Sequence, residues 1–232
     1  LDCTRRQIAA CSGFRYPAPS GQLPDYDWIV KQIDLRGLDP SAAAEAPLPR
    51  PEVDTTRAVG LVGPILERVR VEGADALYEL AEQFDGVRPA DIRVPRVELA
   101  HALDELPSDL REALEVSIAH ARLVHSAQLP LETATHVVPG GVVQQRWVPL
   151  RRVGLYVPGG LAVYPSSVVM NVVPAQIAGV DQIVVASPPQ AENGGLPDRT
   201  VLAACALLGI DEVIAVGGAQ AIGAMAYGFT DG

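Results

Sequence analysis

The stretch "VGLYVPGGLAVYPSSVVMNVVPAQIAGV", residues 153–180, decides the fold class of this chain. Its apolar opening, residues 153–157, has the composition of a buried strand, and the "PGG" at 158–160 follows it as a turn. A helix is then predicted over residues 167–178. The turn lacks the G-x-G-x-x-G spacing of the usual dinucleotide-binding turn, so its glycines need another explanation.

The same order of strand, loop and helix occurs twice more downstream. Apolar runs at 183–186 and 212–216 predict two further strands, and helices are predicted over 200–208 and 219–227. Repeated β-α units of this kind form parallel sheets with helices packed on their faces. The fold class is therefore predicted to be α/β with a Rossmann-like parallel sheet, and a ligand is expected at the carboxyl ends of its strands.

A mainly helical segment is predicted before this sheet, over residues 52–128. Asp75 is predicted to cap one of its helices, and Ser108 is predicted to cap a long one over 109–128. Between the helices, "IRVP" at 92–95 is interpreted as a short extended piece. After them, residues 135–157 are predicted to form two or three short strands, with Pro139-Gly140-Gly141 as the turn of a hairpin.

Composition excludes several classes of function. The net charge is −10 and Lys31 is the only lysine, which argues against binding to a nucleic-acid backbone. No apolar run reaches the roughly 18 residues of a membrane span. The cysteines, Cys3, Cys11 and Cys205, are odd in number and have no C-x-x-C spacing, which favours a reducing, cytoplasmic setting over a disulfide framework or a zinc finger.

The glycine pairs at 159–160 and 217–218 allow two interpretations. They let backbone N–H groups approach a ligand, and the predicted helix starts at Ser167 and Ala219 would present positive dipole ends to a phosphate or carboxylate. They are equally compatible with tight strand-to-helix turns that bind nothing. Spacing alone leaves both interpretations open.

Several long motifs together resemble histidinol dehydrogenase, and its actinobacterial members most closely. The resemblance runs from Ile33 to Gly232. The motifs are "IDLRG" (33–37), "FDGV" (84–87), "RVGLYVPGG" (152–160), "YPSSVVMNVVPAQIAGV" (164–180), "ASPPQ" (186–190) and "VGGAQAIGAMAYG" (216–228).

The resemblance implies an NAD-dependent enzyme of histidine biosynthesis. Its family oxidises L-histidinol through L-histidinaldehyde to L-histidine, as a cytoplasmic, zinc-containing homodimer. Its incomplete Rossmann-like domains are aldehyde-dehydrogenase-like and bind NAD without the usual glycine fingerprint. Tyr156 and Gln220 match the family's cofactor-contacting tyrosine and glutamine. On their own, these two residues would be interpreted as a packed aromatic and a partner of the local backbone.

The catalytic and metal-binding residues of the family have no counterpart in this chain. The zinc ligands and the Glu-His pair that moves protons lie beyond the point that matches Gly232, so neither kind of residue is assigned here. His101, His120, His125 and His136 match none of them. The chain alone is therefore expected to be inactive.

Three parts of the chain are expected to differ in character. Residues 1–32 lie outside the resemblance and are predicted to be disordered or non-native. Residues 33–152 form the helical segment with short strands, and residues 153–232 form the truncated NAD-binding part. Two alternatives remain open: a stand-alone dinucleotide-binding module without catalysis, and another NAD-dependent dehydrogenase related to aldehyde dehydrogenases. The second would need a nucleophilic cysteine in a strand-end loop, where Cys205 does not fall.

Overall fold

The computed structural model describes residues 39, 41, 55–159 and 163–229, and the predictions for residues 1–32 lie outside these. Within them, helices α1 (Thr55–Glu72), α2 (Ala74–Asp85), α3 (Arg96–Asp104) and α4 (Ser108–Ala127) precede the hairpin strands β1 (Thr133–Val138) and β2 (Gly141–Gln145). There follow β3 (Arg152–Tyr156), α5 (Pro165–Ile177), β4 (Gln182–Ser187), a 3-10 turn (Ala191–Asn193), α6 (Arg199–Leu207), β5 (Glu212–Ala215) and α7 (Gly218–Tyr227). The division of the chain at residues 33 and 153 stays a prediction.

The three apolar runs form a parallel sheet in the order β3-β4-β5, which confirms the predicted fold class. Val153 lies opposite Ile183 in the first pair, and Ala186 lies opposite Ile214 in the second. The free edge of β5 is covered in part by the extended piece predicted at 92–95. There the Val94 N–H donates to the Val213 carbonyl over 2.9 Å.

Side chains along β4 and β5 alternate between two buried clusters, because successive residues of a strand face opposite sides of a sheet. One cluster packs against α3, α4, α5 and α6, and the other against α1, α2 and α7. The strands contribute Val185, Val213 and Ala215 to the first cluster, and Val184, Ala186 and Ile214 to the second. Both faces of the sheet are therefore buried, as its continuous apolar runs predict.

Two predicted helix caps are wrong. Asp75 lies inside the first turn of α2, which follows Gly73 directly and has no side-chain cap. Gly73 has a φ of 58°, a conformation that lets α1 and α2 join without a capping residue between them. Ser108 is the first helical residue of α4, because Pro107 takes the cap position with an extended backbone.

Pro64 lies inside α1, which continues on both sides of it.

The predicted hairpin is present, with β1 and β2 paired antiparallel across a turn at Pro139-Gly140. The valines at its end are more than half exposed.

Among residues 55–159 and 163–229, no helix has the length and apolar character needed to cross a membrane.

Glu212 connects three extended segments at the amino edge of the sheet. Its Oε1 accepts hydrogen bonds from Arg93 Nη1 at 2.8 Å and from Arg152 Nη2 at 2.5 Å. Arg152 Nη1 also donates to Gln182 Oε1 over 3.3 Å. One carboxylate on β5 thus binds an arginine from β3 and an arginine from the piece at 92–95.

We expect Glu212→Gln to lower the free energy of unfolding by about 0.5–1 kcal/mol, because both arginines lose their shared charge partner at a partly exposed site. The loss should shrink in 1 M salt, which screens such pairs. Urea unfolding of the purified chain measures both effects. Glu115→Gln, which breaks a one-turn pair with Arg111 on α4, is the matched control. An equal loss in both variants would contradict a role for Glu212 in joining the strands.

Candidate functional site

Three loops meet at the carboxyl edge of the sheet: the turn after β3, the loop after β4 and the turn before α7. Pro188, in the middle loop, lies between the other two. A Cβ atom placed on Gly159 would lie 3.4 Å from Pro188 Cδ, and one placed on Gly217 would lie 2.7 Å from Pro188 Cβ. At Gly217 the backbone therefore passes too close to Pro188 for a side chain, whereas the distance at Gly159 is an ordinary van der Waals contact with Pro188. We call this region the carboxyl-edge site.

Tyr156 and Gln220, the two predicted cofactor-contacting residues, both meet Gly218. The Gly218 N–H donates to the Tyr156 hydroxyl over 3.3 Å. Gln220 is 2% exposed, and its Oε1 lies 2.7 Å from the position that a Cβ on Gly218 would take. Gly218 has a φ of 57°, which glycine adopts without strain. The structure thus brings the two predicted residues together, while their contact with a cofactor stays a prediction.

Tyr156 reaches Gly218 because of the alternation along β3. Leu155 packs with the cluster under α3 to α6, whereas Tyr156 packs with the cluster under α1, α2 and α7. Asn171 on α5 holds the end of the strand, since its Nδ2 donates to the Tyr156 carbonyl over 3.2 Å. The amino ends of α5 and α7 both lie at this edge, as they follow the carboxyl ends of β3 and β5.

The end of β4 and the loop after it contain two buried polar side chains to which sequence reasoning gave no role. Gln190 is 8% exposed, and its Nε2 donates to the Gly159 carbonyl over 2.7 Å. Ser187 is completely buried, and within the described part of the chain its Oγ has no hydrogen-bond partner. A Cβ on Gly159 would lie 3.0 Å from that oxygen. In the sequence, only the "ASPPQ" motif indicated this loop. It did so because it resembles the family, and not because its residue types predicted a site.

Asp85, the last residue of α2, lies beside the turn before α7. A Cβ on Gly217 would lie 3.1 Å from Asp85 Oδ1. Asp85 Oδ2 is buried and has no hydrogen-bond partner among the residues the structure describes. Desolvation by burial raises the pKa of this carboxyl above its usual value. The sequence placed Asp85 only in the "FDGV" motif, so its position at this edge was not predicted.

Residues suited to metal binding or nucleophilic catalysis are not grouped here. Within the described ranges, no three or more His, Cys, Asp or Glu side chains come together as a group able to hold a metal ion. On α4, His125 Nδ1 lies 2.8 Å from Gln128 Oε1. Burial raises the pKa of the Cys205 thiol to about 12, so this residue is a buried apolar side chain rather than a nucleophile.

The sequence model of the histidinol dehydrogenase family matches residues 48–231. The chain belongs to the histidinol dehydrogenase family. It is 62% identical over 203 residues to a histidinol dehydrogenase of Nocardia farcinica, covering 87% of this chain and 46% of that protein. A histidinol dehydrogenase of Thermobifida fusca is 62% identical over 202 residues, with 86% and 45% covered. The chain therefore spans about half the length of the curated relatives it matches.

A solved structure also resembles this fold. The crystal structure of histidinol dehydrogenase from Elizabethkingia anophelis superposes with a TM-score of 0.70 at 28% sequence identity, covering 79% of this chain and 41% of that one.

We expect Asp85→Asn to change the pH dependence of stability. A carboxyl whose pKa is raised in the folded state lowers the free energy of unfolding once it ionises. This loss of stability is absent below the unfolded pKa of about 3.9. It grows as the pH rises through the folded pKa and is constant above it. The asparagine variant should therefore gain stability relative to the wild type between about pH 3 and pH 7.

Urea unfolding at a series of pH values measures this difference. Asp75→Asn, on the exposed start of the same helix, controls for the loss of one negative charge. A stability difference between Asp85→Asn and wild type that does not change with pH would contradict the buried, destabilising carboxylate.

Proposed function

We propose that this chain binds NAD at the carboxyl-edge site, as the cofactor-binding part of an enzyme that oxidises L-histidinol through L-histidinaldehyde to L-histidine. The observation that carries the proposal is the meeting of Tyr156 and Gln220 at Gly218. Membership of the histidinol dehydrogenase family supports the reaction and the substrate. The proposed assembly is the family's homodimer, in the cytoplasm.

The carboxyl-edge site fits a dinucleotide in two respects. Gly218 is exposed and is the first residue of α7, so a ligand there would meet the amino end of a helix. The buried Ser187 hydroxyl lacks a partner within the described residues, which is characteristic of a site that a polar ligand completes. Tyr156, Gln220 and the backbone at Gly218 would hold the cofactor. When bound, NAD supplies the acceptor for the hydride that leaves the substrate.

The chain's own residues bind and orient in this proposal. Tyr156 ties the end of β3 to the first turn of α7 through the Gly218 N–H, and Asn171 fixes the same strand end from the other side. Gln220 is buried, so its side chain is already ordered before a ligand arrives. Preorganisation of this kind reduces the entropy lost on binding.

Zinc binding and proton transfer are not assigned to the described residues. These residues contain no cluster of His, Cys, Asp or Glu side chains suited to a metal ion.

We expect NAD to bind the purified 232-residue chain saturably in isothermal titration calorimetry. Tyr156→Phe and Gln220→Ala should each weaken binding about fivefold, the effect of one lost hydrogen bond. Tyr227→Phe, which removes an exposed hydroxyl at the other end of α7, should bind like the wild type. Unchanged affinity in both site variants would contradict the assigned residues. Absence of binding by a chain that unfolds cooperatively would overturn the proposed function.

We also expect the purified chain to form no NADH from L-histidinol, with or without added zinc, because its described residues lack a metal cluster. Absorbance at the NADH band measures the reaction. A full-length relative, such as the Nocardia farcinica enzyme, is the positive control. Zinc-dependent turnover by this chain alone would show that its own residues complete an active site.

A further inference from the structure

The segment of residues 187–190, which is the last residue of β4 and the loop after it, lies between the two glycine turns of the carboxyl-edge site. Pro188 lies against both turns: a Cβ on Gly159 would be in van der Waals contact with it at 3.4 Å, and one on Gly217 would clash with it at 2.7 Å. We call this segment the SPPQ loop, after its sequence. Because it touches both turns, a change in its position would displace the backbone that faces the proposed cofactor.

Gln190 fixes the SPPQ loop and the turn after β3 to one another. Its Nε2 donates to the Gly159 carbonyl over 2.7 Å, across 31 residues of sequence. Its Oε1 accepts from Asn193 Nδ2, also at 2.7 Å. Its backbone N–H donates to the Leu196 carbonyl over 3.0 Å, and its carbonyl accepts from the Gly195 N–H over 2.9 Å. The side chain is buried and bonded at both polar ends, so its orientation is determined.

The turn after β3 needs such an anchor. The last backbone bond from β4 to this part of the chain runs from the Val157 N–H to the Ala186 carbonyl, at 2.8 Å. Gly159 has no side chain with which to hold its own position, and glycine is the most conformationally free residue. The hydrogen bond from Gln190 holds the chain two residues beyond Val157, within the turn itself.

We propose that Gln190 is a positioning residue of the cofactor site, whose amide holds the turn at Gly159 in the conformation that meets NAD. This inference rests on the proposed function and adds to it a residue that does not touch the cofactor. Loss of the amide would leave the Gly159 carbonyl buried without its side-chain donor and release the turn. Affinity for the cofactor would fall, because binding would then have to order the turn.

The test compares Gln190→Met with Gln176→Met in the purified chain. Gln176 makes the same kind of bond away from the site, since its Nε2 donates to the Leu208 carbonyl over 2.7 Å near the opposite edge of the sheet. Methionine keeps the length of the side chain and removes the donor. Both variants should show a similar drop in melting temperature. Only Gln190→Met should bind NAD more weakly, by about fivefold in calorimetry.

An independent readout does not depend on the cofactor. In 15N NMR spectra of the ligand-free chain, the amide resonance of Gly159 should shift in Gln190→Met and stay in place in Gln176→Met. Asn193→Ala, which removes the donor to Gln190 Oε1 from a less buried position, gives a second variant in case Gln190→Met does not fold. It should weaken NAD binding in the same direction.

The possible results separate this inference from the proposed function. If the wild type binds NAD and the position-190 and position-176 variants bind it equally well, Gln190 is only structural and the inference is wrong. If Gln190→Met does not fold, Asn193→Ala is compared instead. NAD binding by Asn193→Ala with wild-type affinity would then also show that the inference is wrong. If the folded wild type binds no NAD, the proposed function fails and the inference fails with it.

Discussion

The parallel register of β3, β4 and β5 is the constraint on which the other features depend. Hydrogen bonding in this register makes the residues of β4 and β5 alternate between two helical layers, and both layers then bury the sheet. The same alternation directs Leu155 to one layer and Tyr156 to the other. A shift of one residue would exchange the two sides and remove the tyrosine hydroxyl from α7.

The carboxyl-edge site follows from how closely three loops approach one another. Pro188 lies beside both glycine turns, and the buried backbone at Gly217 passes too close to it to accept a side chain. Burial leaves Asp85 Oδ2 and Ser187 Oγ without partners in the described part of the chain. Such groups cost free energy in a folded protein, which is why they concentrate at sites that bind something. This edge of the sheet is thus shaped by the close approach of backbone segments from three loops.

Much of the secondary structure could be predicted from the sequence, and the exceptions have physical causes. The strands and the helices around them were predicted to within about two residues because apolar periodicity directly reports burial. Asp75 and Ser108 were assigned to helix caps, but Gly73 and Pro107 took those positions through backbone geometry that side-chain preference does not encode. The roles predicted for Tyr156 and Gln220 came from resemblance to a family, since neither spacing nor composition distinguishes them from packed residues. Gln190 was missed because a single polar residue in a loop has no periodic signal.

By itself, the sequence determined the α/β class, the order of the β-α units and the family, because these depend on local burial patterns and on long motifs in register. The tertiary structure alone decided which side chains meet. Tyr156 and Gly218 lie 62 residues apart in the chain, and Gln190 and Gly159 lie 31 apart, yet each pair is joined by one hydrogen bond. Such pairs depend on the direction in which each strand presents its side chains and on how closely the loops pack. Both are properties of the assembled sheet, and no segment of the chain contains them before it folds.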